Sequence, residues 1–182
     1  LVVHSPVHPD PCPRLAAEAA ARGVSVVDAP VSGGGRAAEA GNLLVMVGGD
    51  EETVAACRPV FGTYGDPVVH LGPLGSGQVT KLLNNLLFTA NLATSADTLA
   101  LGKSLGVDAD RLAQVITNGS ANSFALGRVA SAGGLERIAG HAGNVLVKDV
   151  SLIDGIAATA GARSEVVQAT AHATLRLMGL EQ

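Results

Sequence analysis

Residues 72 to 85 read Gly72-Pro73-Leu74-Gly75-Ser76-Gly77-Gln78-Val79-Thr80-Lys81-Leu82-Leu83-Asn84-Asn85, a glycine-rich turn running into a helical pattern. The turn divides the chain. Before it, short β-branched runs alternate with alanine-rich periodic segments; after it, only helical periodicity remains. Leu1–Val3, Val24–Asp28, Leu43–Val47 and Val68–Leu71 read as strands. Cys12–Arg22, stopped by Gly23, and Glu51–Phe61, capped by Asp50, read as helices. Such alternation predicts an α/β layer with a largely parallel sheet. From Gly77 to Leu105 the pattern predicts one long helix. Further helices are expected from Asp108 to Thr117, from Ser120 or Asn122, from Asn144 to Ala160 and from Ser164 to Met178, with Gly133-Gly134 in a loop. The expected fold class is therefore α/β followed by all-α, with the division at residues 74/75.

Composition narrows the function classes. Of the 182 residues, 47% are hydrophobic and 15% charged, which makes the chain globular. Aromatic residues reach only 2%, without Trp, so the core must be close-packed Ala, Val and Leu, a composition that suits a bundle or an oligomer interface. The net charge of −4 comes without a basic run, which argues against nucleic acid as a partner. No apolar run approaches the ~18 residues of a membrane span, and no membrane partner is expected. Cys12 and Cys57 lack CxxC spacing and read as free thiols in a reduced, cytoplasmic setting. No metal site is expected. His4 and His8 are kept from helical geometry by Pro6 and Pro9, and His70, His141 and His172 are isolated. No Walker loop, no Ser-His-Asp order and no GxGxxG after a strand emerges.

Three groups of residues carry chemical promise. Lys81 and Asn85 lie one helical turn apart on a face shared with Gln78, Asn84, Thr89 and Asn91. If that polar side lines a cleft between domains, desolvation lowers the lysine's pKa and makes it a usable proton donor or acceptor; the alternative is a solvated lysine on an exposed face. Ser32, Gly33 and Gly34 follow the strand ending at Asp28, and their amides and hydroxyl can form a concave nest for a carboxylate. A plain connecting loop is the alternative. Asp149 falls on the apolar stripe of Val145, Ile153 and Ile156; if it points inward it needs a partner, for which a lysine is the natural choice, and the alternative is a charged pair on a frayed or rotated face. Its neighbour Lys148 faces elsewhere, toward a ligand or water.

These segments, in this order, resemble the β-hydroxyacid dehydrogenase family, in particular its 3-hydroxyisobutyrate dehydrogenase-like branch. The resemblance rests on Asp28-Ala-Pro-Val-Ser-Gly-Gly34, Ala40-Gly41, Met46-Val-Gly-Gly-Asp50, Gly75-Ser-Gly-Gln-Val-Thr-Lys-Leu-Leu-Asn-Asn85 and Leu146-Val-Lys-Asp149. It implies residues 1–74 as the C-terminal portion of a Rossmann-type dinucleotide-binding domain, joined by the long helix to an all-helical substrate and oligomerisation domain at 75–182. The implied activity interconverts a 3-hydroxy acid and its semialdehyde with NAD or NADP, in a homodimer or homotetramer. By resemblance, Lys81 is the catalytic lysine, Asn85 the amide that orients substrate and lysine, and Ser32, Gly33 and Gly34 the substrate-carboxylate loop. Lys148 and Ser5 would stand at the cofactor. The family's glycine-rich phosphate loop is not in this sequence, and Ser5 is followed by Pro6 where the family commonly has Ser-Thr. The chain is accordingly expected to be a truncated dehydrogenase. A catalytically silent remnant acting as a helical oligomerisation or ligand-binding module is the alternative.

Overall fold

Valine-rich runs favour strands, and here short strands alternate with helices through the first part of the chain. The computed structural model describes residues 1–5, 11–162 and 164–181; Pro6, His8 and Pro9 lie outside them. The elements are β1 (Val2–Val3), α1 (Pro11–Ala20), β2 (Val27–Asp28), β3 (Val31–Ser32), α2 (Gly34–Glu39), β4 (Leu43–Val47), α3 (Glu51–Phe61) and β5 (Gly65–His70). Then come α4 (Ser76–Ser104), α5 (Ala109–Asn118), α6 (Phe124–Ala132), α7 (Leu135–Thr159) and α8 (Glu165–Leu177). Two compact units divide within α4, at Leu83/Asn84.

In the first unit β1 and β2 pair in parallel, Val2 opposite Val27. β4 is the centre of a three-stranded sheet, parallel to β5 and antiparallel to β3. A bridge between Asp28 and Gly48 ties the end of β2 to the end of β4. The antiparallel strand departs from the largely parallel expectation. Val31–Ser32 is two residues long, too short to leave a periodic signal, and it follows Pro30 directly. Val27, Ala29, Val45, Val47, Val54 and Phe61 form the core. Against it, His4 Nδ1 donates to the Ala29 carbonyl at 2.5 Å, which leaves Nε2 to accept from the Tyr64 hydroxyl at 3.1 Å. Cys12 is buried, and that burial, followed by the charge of Asp28, pushes its thiol pKa up.

In the second unit the helix starts follow capping chemistry. Asp108 accepts from the Arg111 amide to begin α5, and Ser123, beyond the expected Ser120 or Asn122, accepts from the Leu126 amide to begin α6. α7 begins at Leu135, well before the expected Asn144. Gly140 and Gly143 interrupt the periodicity there, yet Gly143 is a packing position: a Cβ on it would stand 2.9 Å from the Leu180 side chain. Thr174 on α8 is fully buried and donates to the Thr89 carbonyl of α4 at 2.8 Å. No helix among the described residues is long and apolar enough to cross a membrane.

Candidate active site

A helix begins with backbone N–H groups that have no partner of their own, and an anion placed there satisfies them. At the start of α4 that anion is Asp28, wholly buried at the end of β2. Its Oδ1 accepts from the Gly75 amide at 2.6 Å and its Oδ2 from the Gln78 amide at 2.8 Å. Gln78 is also fully buried, with Nε2 donating to the Ser5 carbonyl at 3.0 Å. Thr89 is buried as well, its hydroxyl returned to the Asn85 carbonyl at 2.8 Å. Gln78 and Thr89 therefore belong to the packed side of α4, and the polar stripe expected to line a cleft shrinks to the half-buried Lys81, Asn85 and Asn91 and the exposed Asn84.

Asn85 opens a second cluster. Its Nδ2 donates to Asp149 Oδ2 at 2.6 Å, and its Oδ1 accepts from Asn84 Nδ2 at 3.0 Å. A carboxylate can only accept, so Asp149 fixes which way the Asn85 amide points. One N–H and one carbonyl lone pair of Asn85 remain for a further contact. Asp149 points inward as expected and is 0% exposed, but its hydrogen-bond partner is an amide and not a lysine. Lys148 Nζ stands 3.2 Å from the other oxygen, Oδ1, as an ion pair. Oδ1 itself receives no hydrogen bond among the described residues. The Lys148 side chain is half-exposed.

Ser32 ends β3, and Gly33 and Gly34 lead into the short helix α2. This is a strand end and a helix start, where the sequence suggested an open loop. Gly33 and Gly34 both have positive φ, 131° and 69°, a succession that L side chains rarely allow. At Gly33 a Cβ would also collide with the Ala37 Cβ. Both glycines are exposed, and their amides are uncovered by side chains of their own. Ser32, Gly33, Gly34 and Lys81 belong to the first unit, and Asn85, Lys148 and Asp149 to the second. Sequence reasoning missed Asp28 as a cap, because its partners are 47 and 50 residues away. No group of His, Cys, Asp and Glu among the described residues can hold a metal ion. For a dinucleotide the fit is partial. In the first unit Ser5 follows the carboxyl end of parallel β1, the edge at which open α/β sheets take ligands, and in the second the half-exposed Lys148 is ion-paired with Asp149.

Residues 1–72 match the NAD binding domain of 6-phosphogluconate dehydrogenase, and residues 75–179 match the NAD-binding family of NADP-dependent 3-hydroxyisobutyrate dehydrogenase. Together the two matches define a class, proteins built on the NAD-binding domains of dehydrogenases. The chain belongs to the β-hydroxyacid dehydrogenase family. It is 38% identical to 2-(hydroxymethyl)glutarate dehydrogenase of Eubacterium barkeri over 69% of this chain and 42% of that protein. It is 40% identical to the NAD-dependent L-serine dehydrogenase of Pseudomonas aeruginosa over 67% of this chain and 41% of the relative. Its fold matches the 3-hydroxyisobutyrate dehydrogenase of Mycobacterium tuberculosis, solved with L-serine, at a TM-score of 0.79 and 28% identity, covering 98% of this chain and 64% of that one. The chain thus spans about two fifths of the length of these curated relatives.

Proposed function

We propose that this chain carries the proton-transfer half of an NAD(P)-dependent oxidoreductase that interconverts a small 3-hydroxy acid and its semialdehyde. The observation that supports it most is Lys81 one helical turn from Asn85, whose amide is locked by a buried carboxylate. In the oxidation direction Lys81, as the neutral amine, accepts the proton of the substrate hydroxyl, and in reduction the ammonium returns it. Asn85 holds the same oxygen with the N–H that Asp149 leaves over. The amides of Gly33 and Gly34, with the Ser32 hydroxyl, bind the substrate carboxylate. When bound, NAD or NADP supplies the acceptor for the hydride leaving the carbinol carbon. Ser5 and Lys148 are the residues here that would hold it.

The relatives' names support the substrate class. 3-Hydroxyisobutyrate, L-serine and 2-(hydroxymethyl)glutarate share the skeleton HOCH2–CHR–COO⁻ and differ only at R. An anion site at one end and a proton acceptor at the other suit that shared part. The same proposal divides the chain at residues 74/75, places it in the cytoplasm and makes it a homodimer or homotetramer. Exposed Leu87, Leu101 and Phe124 suit an interface.

The test is Lys81→Ala in the cofactor-loaded enzyme, with 3-hydroxyisobutyrate and L-serine as substrates. Turnover should fall by a factor on the order of 10² to 10⁴ while cofactor affinity changes little. Unchanged turnover would remove Lys81 from the mechanism.

A further inference from the structure

Asp28 is the one fully buried carboxylate among the described residues whose two oxygens both take backbone amides. Its own backbone is tied down too, with N–H to the Gly48 carbonyl at 3.0 Å and carbonyl to the Gly48 amide at 2.8 Å. The space around it is fitted. A Cβ on Gly48 would meet Oδ1, and a Cβ on Gly77 would stand 2.8 Å from Oδ2 and collide with the Met46 carbonyl. Only glycine at both places lets the carboxylate reach the helix start. Lys81 lies three residues beyond Gln78, the second amide that Asp28 holds, and Ser32 lies four residues beyond Asp28 itself.

We propose that Asp28 is a positioning residue for proton transfer: by clamping the first turn of α4 to the end of β2, it sets where Lys81 stands relative to the Ser32–Gly34 turn. This rests on the proton-transfer role proposed above for Lys81. The chemistry calls for aspartate in particular. Both groups facing it are N–H donors, so two acceptor oxygens are required. Asparagine has the same shape but turns an NH2 toward one of the two donors, whichever way its amide is flipped. The first turn of α4 then loses one anchor. A displacement of about 1 Å at a reacting group can cost roughly 10²-fold in rate.

Asp28→Asn, Lys81→Ala and the double variant are to be compared in the holoenzyme, with 3-hydroxyisobutyrate as the probe. Asp28→Asn alone should lower kcat by about ten- to a hundredfold with KM changed by about twofold or less. In the Lys81→Ala background the same substitution should cost about twofold or less, because the group it positions is gone. A readout independent of activity is amide hydrogen exchange, which should speed up at Gly75 and Gln78 in Asp28→Asn. Equal losses in both backgrounds would reduce Asp28 to a stabilising residue and overturn the proposal while leaving Lys81 in place. Faster exchange with unchanged kcat would overturn it as well. An inactive Lys81→Ala supports the reading beneath it; a fully active one would overturn both. If Asp28→Asn does not fold, Gly77→Ala presses on the same contact from the helix side and should show the same dependence on Lys81.

Discussion

The chain's two units each bury one carboxylate against α4, and the two are satisfied in opposite ways. Asp28, in the first unit, takes two backbone amides, one on each oxygen. Asp149, in the second, takes one side-chain amide on Oδ2, while its Oδ1 receives no hydrogen bond among the described residues and faces the Lys148 ammonium at 3.2 Å. A carboxylate with a main-chain donor on each oxygen fixes backbone. A carboxylate that holds a side-chain amide on one oxygen and an ammonium near the other fixes the orientation of a side chain. Asp28 is built into the frame of the helix, whereas Asp149 orients a side chain displayed on it.

Substitutions can break that contrast, the largest effect coming first. Asp28→Ala should cost about 3–5 kcal/mol, since it leaves the Gly75 and Gln78 amides buried without an acceptor. Chemical denaturation measures this directly, and a loss under about 1 kcal/mol would mean that the clamp adds little. Gly77→Ala should cost about 1–3 kcal/mol by forcing a methyl against the Met46 carbonyl and Asp28 Oδ2. Asp149→Asn, by contrast, should change stability by about 1 kcal/mol or less. It keeps an acceptor for Asn85 and removes a buried charge; a loss as large as that of Asp28→Ala would erase the distinction between the two.

A third carboxylate set sharpens the comparison by being partly exposed. His172 meets Asp154 through Nε2 at 2.8 Å and Glu181 through Nδ1 at 2.8 Å. Burial opposes the imidazolium, but the hydrogen bonds it donates to Glu181 and then Asp154, with their charges, outweigh it and raise the pKa above the ordinary imidazole value. The folded state therefore binds this proton more tightly than the unfolded chain. Its contribution to stability is complete below about pH 6.5 and is lost as pH rises through the raised folded value. Melting wild type and His172→Gln from about pH 5 to about pH 9 should give a small difference at the acid end that shrinks toward the alkaline end. A difference that grows with pH would reverse the assignment.

What the sequence disclosed follows the range of each interaction. Asp50 before Glu51–Phe61 and the Leu43–Val47 run are local signals, and both elements form with the expected ends. The long helix is displaced by one residue, since its periodicity is carried by many side chains. Val31–Ser32 and the six-residue α2 are too short to have a period, so the Ser32-Gly33-Gly34 stretch read as loop. Long-range partners left weaker traces. Asp149 announced itself by standing on an apolar stripe, but its partner, Asn85, is 64 residues away and could not be chosen over a lysine. Asp28 gave no such signal, because a strand-end aspartate looks the same whether it caps a distant helix or meets water. Gln78 misled for a related reason: a helical wheel groups polar residues by angle and cannot tell that this one is packed with its amide on the Ser5 carbonyl.

Whether α4 presents Lys81 and Asn85 to the hydroxyl end of a small 3-hydroxy acid, as proposed, can be read at the two residues themselves by side-chain nitrogen NMR. The protein labelled with nitrogen-15 is titrated with 3-hydroxyisobutyrate while Lys81 Nζ and Asn85 Nδ2 are followed. Both resonances should shift together and saturate with a single dissociation constant, and the response of Lys81 should survive in Asp149→Asn. Saturable binding of the acid that moves neither resonance would contradict it.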